Sequence, residues 1–241
     1  MHPGTLDHRP TPLWLAALLA VGAVGAAGCA AAPPPPAVVE AGPVVEKIDT
    51  GASFYESEIG GMNEYAVEDA FKSLQRPILR CFESGSSRVE ALGGSFTVSF
   101  RVDRKGATRW AYMKSSTLGD RATESCVLDL VRRETWPKPL SGEGLAQKSF
   151  DIEPSAAPHV LDGKRVRSVI KLAQKRTATC RKGVSGAFLA TAYLEPDGRV
   201  RAAGVAPPSE QGEAVVDCVV DELQKLKFSA TGKLAKVTFE M

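Results

Sequence analysis

Two hydrophobic periods alternate along the chain from residue 61 onwards. Val67, Ala70, Phe71, Leu74, Ile78 and Cys81 fall three and four apart, the stripe of an amphipathic helix. Pro77 lies inside that stripe and predicts a kink or a division. Phe96, Val98, Phe100 and Val102 then alternate with Thr97, Ser99 and Arg101, the period-2 pattern of a half-buried strand. Asp103-Arg104-Lys105-Gly106 reads as a turn, with glycine supplying positive φ. A return strand over 107–115 sets Trp110, Tyr112 and Lys114 on one face and Ala111 and Met113 on the other. Thr117-Leu118-Gly119-Asp120 predicts a capped helix start, with Ala122, Cys126, Leu130 and Val131 as the apolar side of the helix. Trp136-Pro137-Lys138-Pro139 ends that helix, and a short strand follows over 148–152.

The whole pattern recurs. Gly94–Gly106 matches Gly186–Gly198 at an offset of 92, which also pairs Thr117 with Ser209, Cys126 with Cys218 and Trp136 with Phe228. Upstream the offset is 99 and pairs Cys81 with Cys180, so only one connecting loop changes length. In the second copy Val166, Val169, Ile170, Ala173, Thr177 and Cys180 form the first stripe, on a helix expected over 163–182. Ala214, Cys218, Val219 and Leu223 form the second, and a strand is expected over 236–240. The expected fold class is α+β: two tandem αββαβ domains, at 61–153 and 160–241, each a small antiparallel sheet packed on two helices. Pro154 and Pro158 lie in the link between them.

The N-terminal region has a different texture. Residues 13–28 are apolar throughout, and sixteen residues of helix span about 24 Å, short of the ~30 Å hydrocarbon core. That length predicts a signal peptide over 1–28. Ala26-Ala27-Gly28-Cys29 resembles the lipobox of bacterial lipoproteins, which implies lipid on Cys29. Residues 29–60 then form a lipid-anchored linker rich in Pro and Ala, with Pro33–Pro36 in extended polyproline II. Alanine at position 30 points to the outer membrane under the sorting rule of enteric bacteria.

An exported chain meets an oxidising compartment, where Cys81, Cys126, Cys180 and Cys218 are expected to pair. Four cysteines allow three connectivities. The repeat favours Cys81–Cys126 and Cys180–Cys218, each bridge closing one unit. No two cysteines are spaced for zinc, and no metal or other cofactor is implied. Of three histidines only His159 lies in the body, in the link, so chemistry that needs a histidine pair is excluded. A formal net charge of +2 gives no global field to steer the chain onto nucleic acid. One local pattern stands out: Lys164, Arg167, Lys171, Lys175 and Lys182 make a basic stripe suited to an anionic partner.

Strand, turn glycine, strand, Ser116-Thr117-Leu118-Gly119-Asp120, a helix with cysteine and then Trp-Pro-x-Pro resembles the TonB C-terminal-like superfamily. Within it the chain is most similar to the AgmX/PglI C-terminal domain family of myxobacterial envelope proteins. The second copy keeps Cys180, Gly186, Gly198, Ser209 and Cys218 but has Phe228-Ser229 in place of the Trp-Pro ending. The resemblance implies a periplasmic protein-interaction module without enzymatic activity, in an envelope or motility-associated assembly. Its implied partners are the membrane, through the lipid, and an envelope protein or anionic envelope polymer. Trp110 and Tyr112 are the candidate apolar contacts of the first copy, and the basic stripe is the electrostatic contact of the second. The alternatives are an envelope enzyme acting on peptidoglycan or polysaccharide, with two carboxyl groups facing across a cleft, and a purely structural spacer.

Overall fold

The computed structural model describes residues 61–241 together with two short strands, β1 (Ile48–Asp49) and β2 (Phe54–Ser57). The expectations of a signal peptide, of lipid on Cys29 and of a polyproline spacer lie outside the described residues. Residues 61–241 fall in a single compact unit of mixed α+β structure with antiparallel sheets.

The first repeat begins with α1 (Glu64–Arg88), capped by Asn63, whose side chain accepts from Ala66 N at 3.0 Å. Of the kink or division expected at Pro77, the division does not occur: the helix is one element from Glu64 to Arg88. Proline forfeits one backbone bond. Buried Leu74, Ile78 and Cys81 hold the chain in place on both sides of it. The hairpin β3 (Gly94–Val102) and β4 (Thr108–Ser116) follows as expected. Helix α2 (Arg121–Arg133) is capped by Asp120, which accepts from Thr123 N. Thr117 is not the cap. Its hydroxyl bonds the backbone of Ser95 and so latches the loop to β3. With the helix starting at Arg121, its buried face is Thr123, Glu124, Val127, Leu128 and Val131. Ala122 and Cys126, expected inside, are exposed. Strand β5 (Gly144–Ile152) closes the repeat by pairing with the whole of β3.

The link contributes β6 (His159–Val160), and the second repeat starts at α3 (Arg167–Thr177), flanked by turns and shorter than the expected 163–182. Strands β7 (Leu189–Leu194) and β8 (Val200–Ala206) form its hairpin. The expected second helix is two pieces, α4 (Glu210–Glu213) and α5 (Val216–Gln224). Gly212 and the β-branched pair Val215-Val216 are weak helix formers at the joint. Here too the cysteine is exposed: α5 buries Val216, Val219, Val220 and Leu223 and turns Cys218 outward. Strand β9 (Ala235–Glu240) ends the chain.

The strand order is β1-β5-β3-β4, with β2 also on β5, and β6-β9-β7-β8, with β6 parallel to β9. The outer edges of β5 and β9 are therefore partly covered, where a plain three-stranded sheet was expected. Residues 48–49 and 54–57, expected as linker, pair in register with β5, whose edge presents unpaired N–H and C=O groups. Val98 faces Lys148 as Ala190 faces Phe239, so the last strands correspond at 91 residues, and Lys148 stands where the second copy has Phe239.

Each repeat has its own core. In the first, Trp136 lies 4.2 Å from Phe100 and 4.8 Å from Phe71, its indole N–H donating to Val131 O at 3.0 Å. The backbone of residue 136 closes onto Gly106 (φ +86°), and that of Phe228 onto Gly198 (φ +86°), through N–H···O bonds of 2.9 and 2.8 Å. A Cβ at either glycine would overlap the aromatic residue's carbonyl oxygen. The repeated turn glycine and the repeated aromatic are thus two halves of one contact.

Candidate functional site

The two repeats meet along a seam built from their equivalent parts. Helix α2 lies against β8, α4 lies against β4, and the equivalent strands β4 and β8 lie against each other. Arg121 and Glu213, equivalent at offset 92, bond each other at 2.9 Å. Arg121 also reaches Asp217 at 2.7 Å, and Arg132 reaches Glu213 at 3.3 Å. Burial opposes the Arg121 charge, but Glu213 and Asp217 outweigh it and raise its pKa. Tyr193, Ala202 and Ala206 of the second sheet join the core of the first repeat.

Tyr193 is fully buried, its hydroxyl bonded to Ala91 O at 2.9 Å and accepting from Gly93 N at 3.2 Å. Burial pushes its pKa up to about 12. Lys236 Nζ donates to Gly93 O at 2.6 Å and sits 5.2 Å from the Tyr193 ring, and burial brings its pKa down to about 8. Glu124 is completely buried. It accepts from Ser116 Oγ at 2.6 Å and from Val205 N at 3.3 Å. Burial raises its pKa, and Ser116 and Arg121 only partly offset that. Gly204 is required beside it, since a Cβ there would overlap the carboxylate. As a residue of the first turn, Glu124 reads in the sequence as a partner of the helix dipole; only the second sheet explains its burial.

Of the expected contact residues, Trp110 is half-buried on the outer face of the first sheet, with the Arg101 guanidinium 5.4 Å from its ring centre. It does not pack under the helices of its repeat, where Ala111 and Met113 point. Tyr112, 5.7 Å from Trp110, is nearly buried, and burial followed by the Glu210 carboxylate of the other repeat raises its pKa. Tyr112 therefore belongs to the seam, not to the free surface. Lys164, Arg167, Lys171, Lys175 and Lys182 are all exposed, but only Arg167, Lys171 and Lys175 stand on α3. Cys81 is bonded to Cys126 and Cys180 to Cys218, with Cα–Cα distances of 5.8 Å in both.

A cavity of about 450 Å³ opens between the repeats' ends, lined by Glu90, Ala91, the link residues 156–160, Lys233 and Leu234. Glu90 is its single carboxylate. Among the described residues no group of three or more His, Cys, Asp and Glu is placed to hold a metal ion. Among them, too, no helix is long and apolar enough to cross a membrane. Comparison with family models, with curated proteins and with solved structures gives no match.

Sequence reasoning missed Glu124, Tyr193, Arg121 and Lys236. One signal for Tyr193 is present: it stands at the repeat position of Arg101, an outward-facing residue, and an aromatic there marks a covered face.

Proposed function

We propose that this chain is a non-enzymatic cell-envelope lipoprotein. Lipid on Cys29 holds it at the outer membrane, the segment between Cys29 and β1 spaces it from the surface, and two TonB C-terminal-like repeats face the periplasm as a protein-interaction module. The observation that carries this reading is Trp110: a half-buried indole held outside both cores, on the outer face of a disulfide-stapled sheet, with the Arg101 guanidinium 5.4 Å from its ring centre. Aromatic and arginine side chains so placed are the usual energetic centre of protein interfaces. The paired repeats supply what such a contact needs, a rigid frame that positions the ring before the partner arrives.

Two measurements test the two parts. Labelled palmitate is incorporated into the native chain and not into Cys29→Ser; label retained in that variant overturns the anchor. A photo-crosslinking side chain at position 110 in intact cells gives one discrete adduct. Trp110→Ala weakens capture of the same partner by about 30-fold, the loss of about 2 kcal/mol typical of a central aromatic. A smear of adducts, or none, favours the spacer reading.

A further inference from the structure

Eight of the chain's 30 basic residues and none of its 28 acidic ones fall within 163–194, so the rest of the chain is net acidic. The structure gathers the helical share of this charge on one side. At 100° per residue Arg167, Lys171 and Lys175 occupy an arc of about 80° on α3, separate from the arc that buries Ala173 and Thr177. Lys164 and Lys182 continue the line in the turns at either end. Among the described residues none of the five has a carboxylate within ion-pair distance; on the neighbouring α5, Asp217 is engaged by Arg121 at 2.7 Å and Glu222 by Lys225 at 2.6 Å, and Asp221 is exposed. Leu172, 40% exposed, stands at the edge of the cationic arc.

We infer that this face of α3 docks on an anionic lipid bilayer surface. The face is the outer side of a helix whose inner side is core, and the cavity of about 450 Å³ between the repeats' ends is lined by other residues. A convex row of cations suits an extended sheet of phosphate charge, which meets all of them together, better than a discrete ligand, which would need a pocket. Leu172 adds a small exposed apolar contact beside the cations. The geometry rests on the lipoprotein reading: lipid on Cys29 keeps the unit near the membrane, where weak electrostatic attraction suffices to orient it. Docking of α3 then fixes which way Trp110 points.

The compact unit 42–241, which contains both disulfides and both cores, is tested without the leader or lipid, so the result does not depend on the anchor. In about 0.1 M salt it co-sediments with phosphatidylcholine vesicles containing 30% phosphatidylglycerol, and is released at about 0.5 M. The exposed triple substitution R167Q/K171Q/K175Q leaves both disulfides and the circular dichroism spectrum unchanged and lowers partitioning at least tenfold. Leu172→Ser lowers it about threefold and leaves any binding to soluble polygalacturonate unaltered. Equal binding to pure phosphatidylcholine, indifference to the triple substitution, or binding to polygalacturonate without binding to vesicles overturns the inference. Failure of palmitate labelling alone overturns the anchor and not the docking face.

Discussion

Glu124 has no exposed surface, and its two hydrogen bonds come from a hydroxyl and a backbone N–H, neither of them a cation. Burial therefore raises its pKa above the ordinary 4.5. In the window just above pH 4.5 the folded chain keeps a proton that the unfolded chain has released. Stability accordingly falls as pH rises through that window, and levels off above the folded pKa. Glu124→Gln removes the ionisation and keeps both contacts: the amide oxygen accepts from Val205 N, and the amide N–H₂ donates to Ser116 Oγ. The expected outcome is a gain on the order of 1 kcal/mol at neutral pH and a flatter profile above pH 4.5, read as urea midpoints. A loss of stability at pH 7 would place the ionised carboxylate among the groups that hold the seam. Such residues are illegible in a single sequence for a physical reason. Periodicity reports which side of an element is apolar, whereas Glu124, Gly204 and Tyr193 are determined by a surface 80 to 102 residues away in the chain.

At the scale of elements, the periods are legible and the rotations are not. Alternation at 96–102 places β3 and its inward residues correctly, because one face of that strand meets a single core. Helix α2 touches two surfaces, its own sheet and β8, and its buried arc turns towards both, which leaves Cys126 outside. Strand β7 is buried on both faces, so Ala190 and Ala192 are small side chains in a covered strand and not signs of a thin, open sheet. The outward position of Cys126 and Cys218 separates two contributions of the disulfides. The loops they close are 45 and 38 residues long, for which the chain-entropy estimate is about 4 kcal/mol each, as an upper figure. Cys126→Ala and Cys218→Ala lose that term with little packing cost. Cys81→Ala loses it and leaves a space in the core, since Cys81 is 3% exposed. Chemical denaturation of the three variants is expected to rank Cys81→Ala as the least stable relative to its partner variant, Cys126→Ala, by about 1 kcal/mol. Equal midpoints for these two show that the bridge acts through the unfolded chain alone.

The whole molecule is held by a seam whose two sides are the same surface used twice, as in a two-fold dimer joined by a short link. The repeat was legible from the glycines, the cysteines and the constant offset. That the copies would fuse was not, since the sequence shows each copy's pattern and not which outer faces cover each other. Fusion changes how the two binding surfaces are to be separated. Cutting the chain at the link exposes Tyr193 and Ala202 and leaves Arg121 without Glu213, so isolated halves report on a broken seam and not on their own ligands. Glu213 tests the coupling directly. Its side chain is 11% exposed and pairs with Arg121, 13% exposed, and with Arg132. Glu213→Ala leaves the little-exposed Arg121 with Asp217 as its remaining carboxylate and takes a carboxylate from Arg132, an expected cost of about 1–2 kcal/mol. The substitution lies in the second repeat, but Trp110 and Trp136, the tryptophans of the 42–241 unit, both lie in the first. If the repeats unfold as one, the denaturant midpoint read by tryptophan fluorescence falls by the same free energy as that read by amide exchange on β7 and β9. A fluorescence midpoint that stays at the native value while β7 and β9 lose protection makes the repeats independent, and the seam a contact without cooperativity.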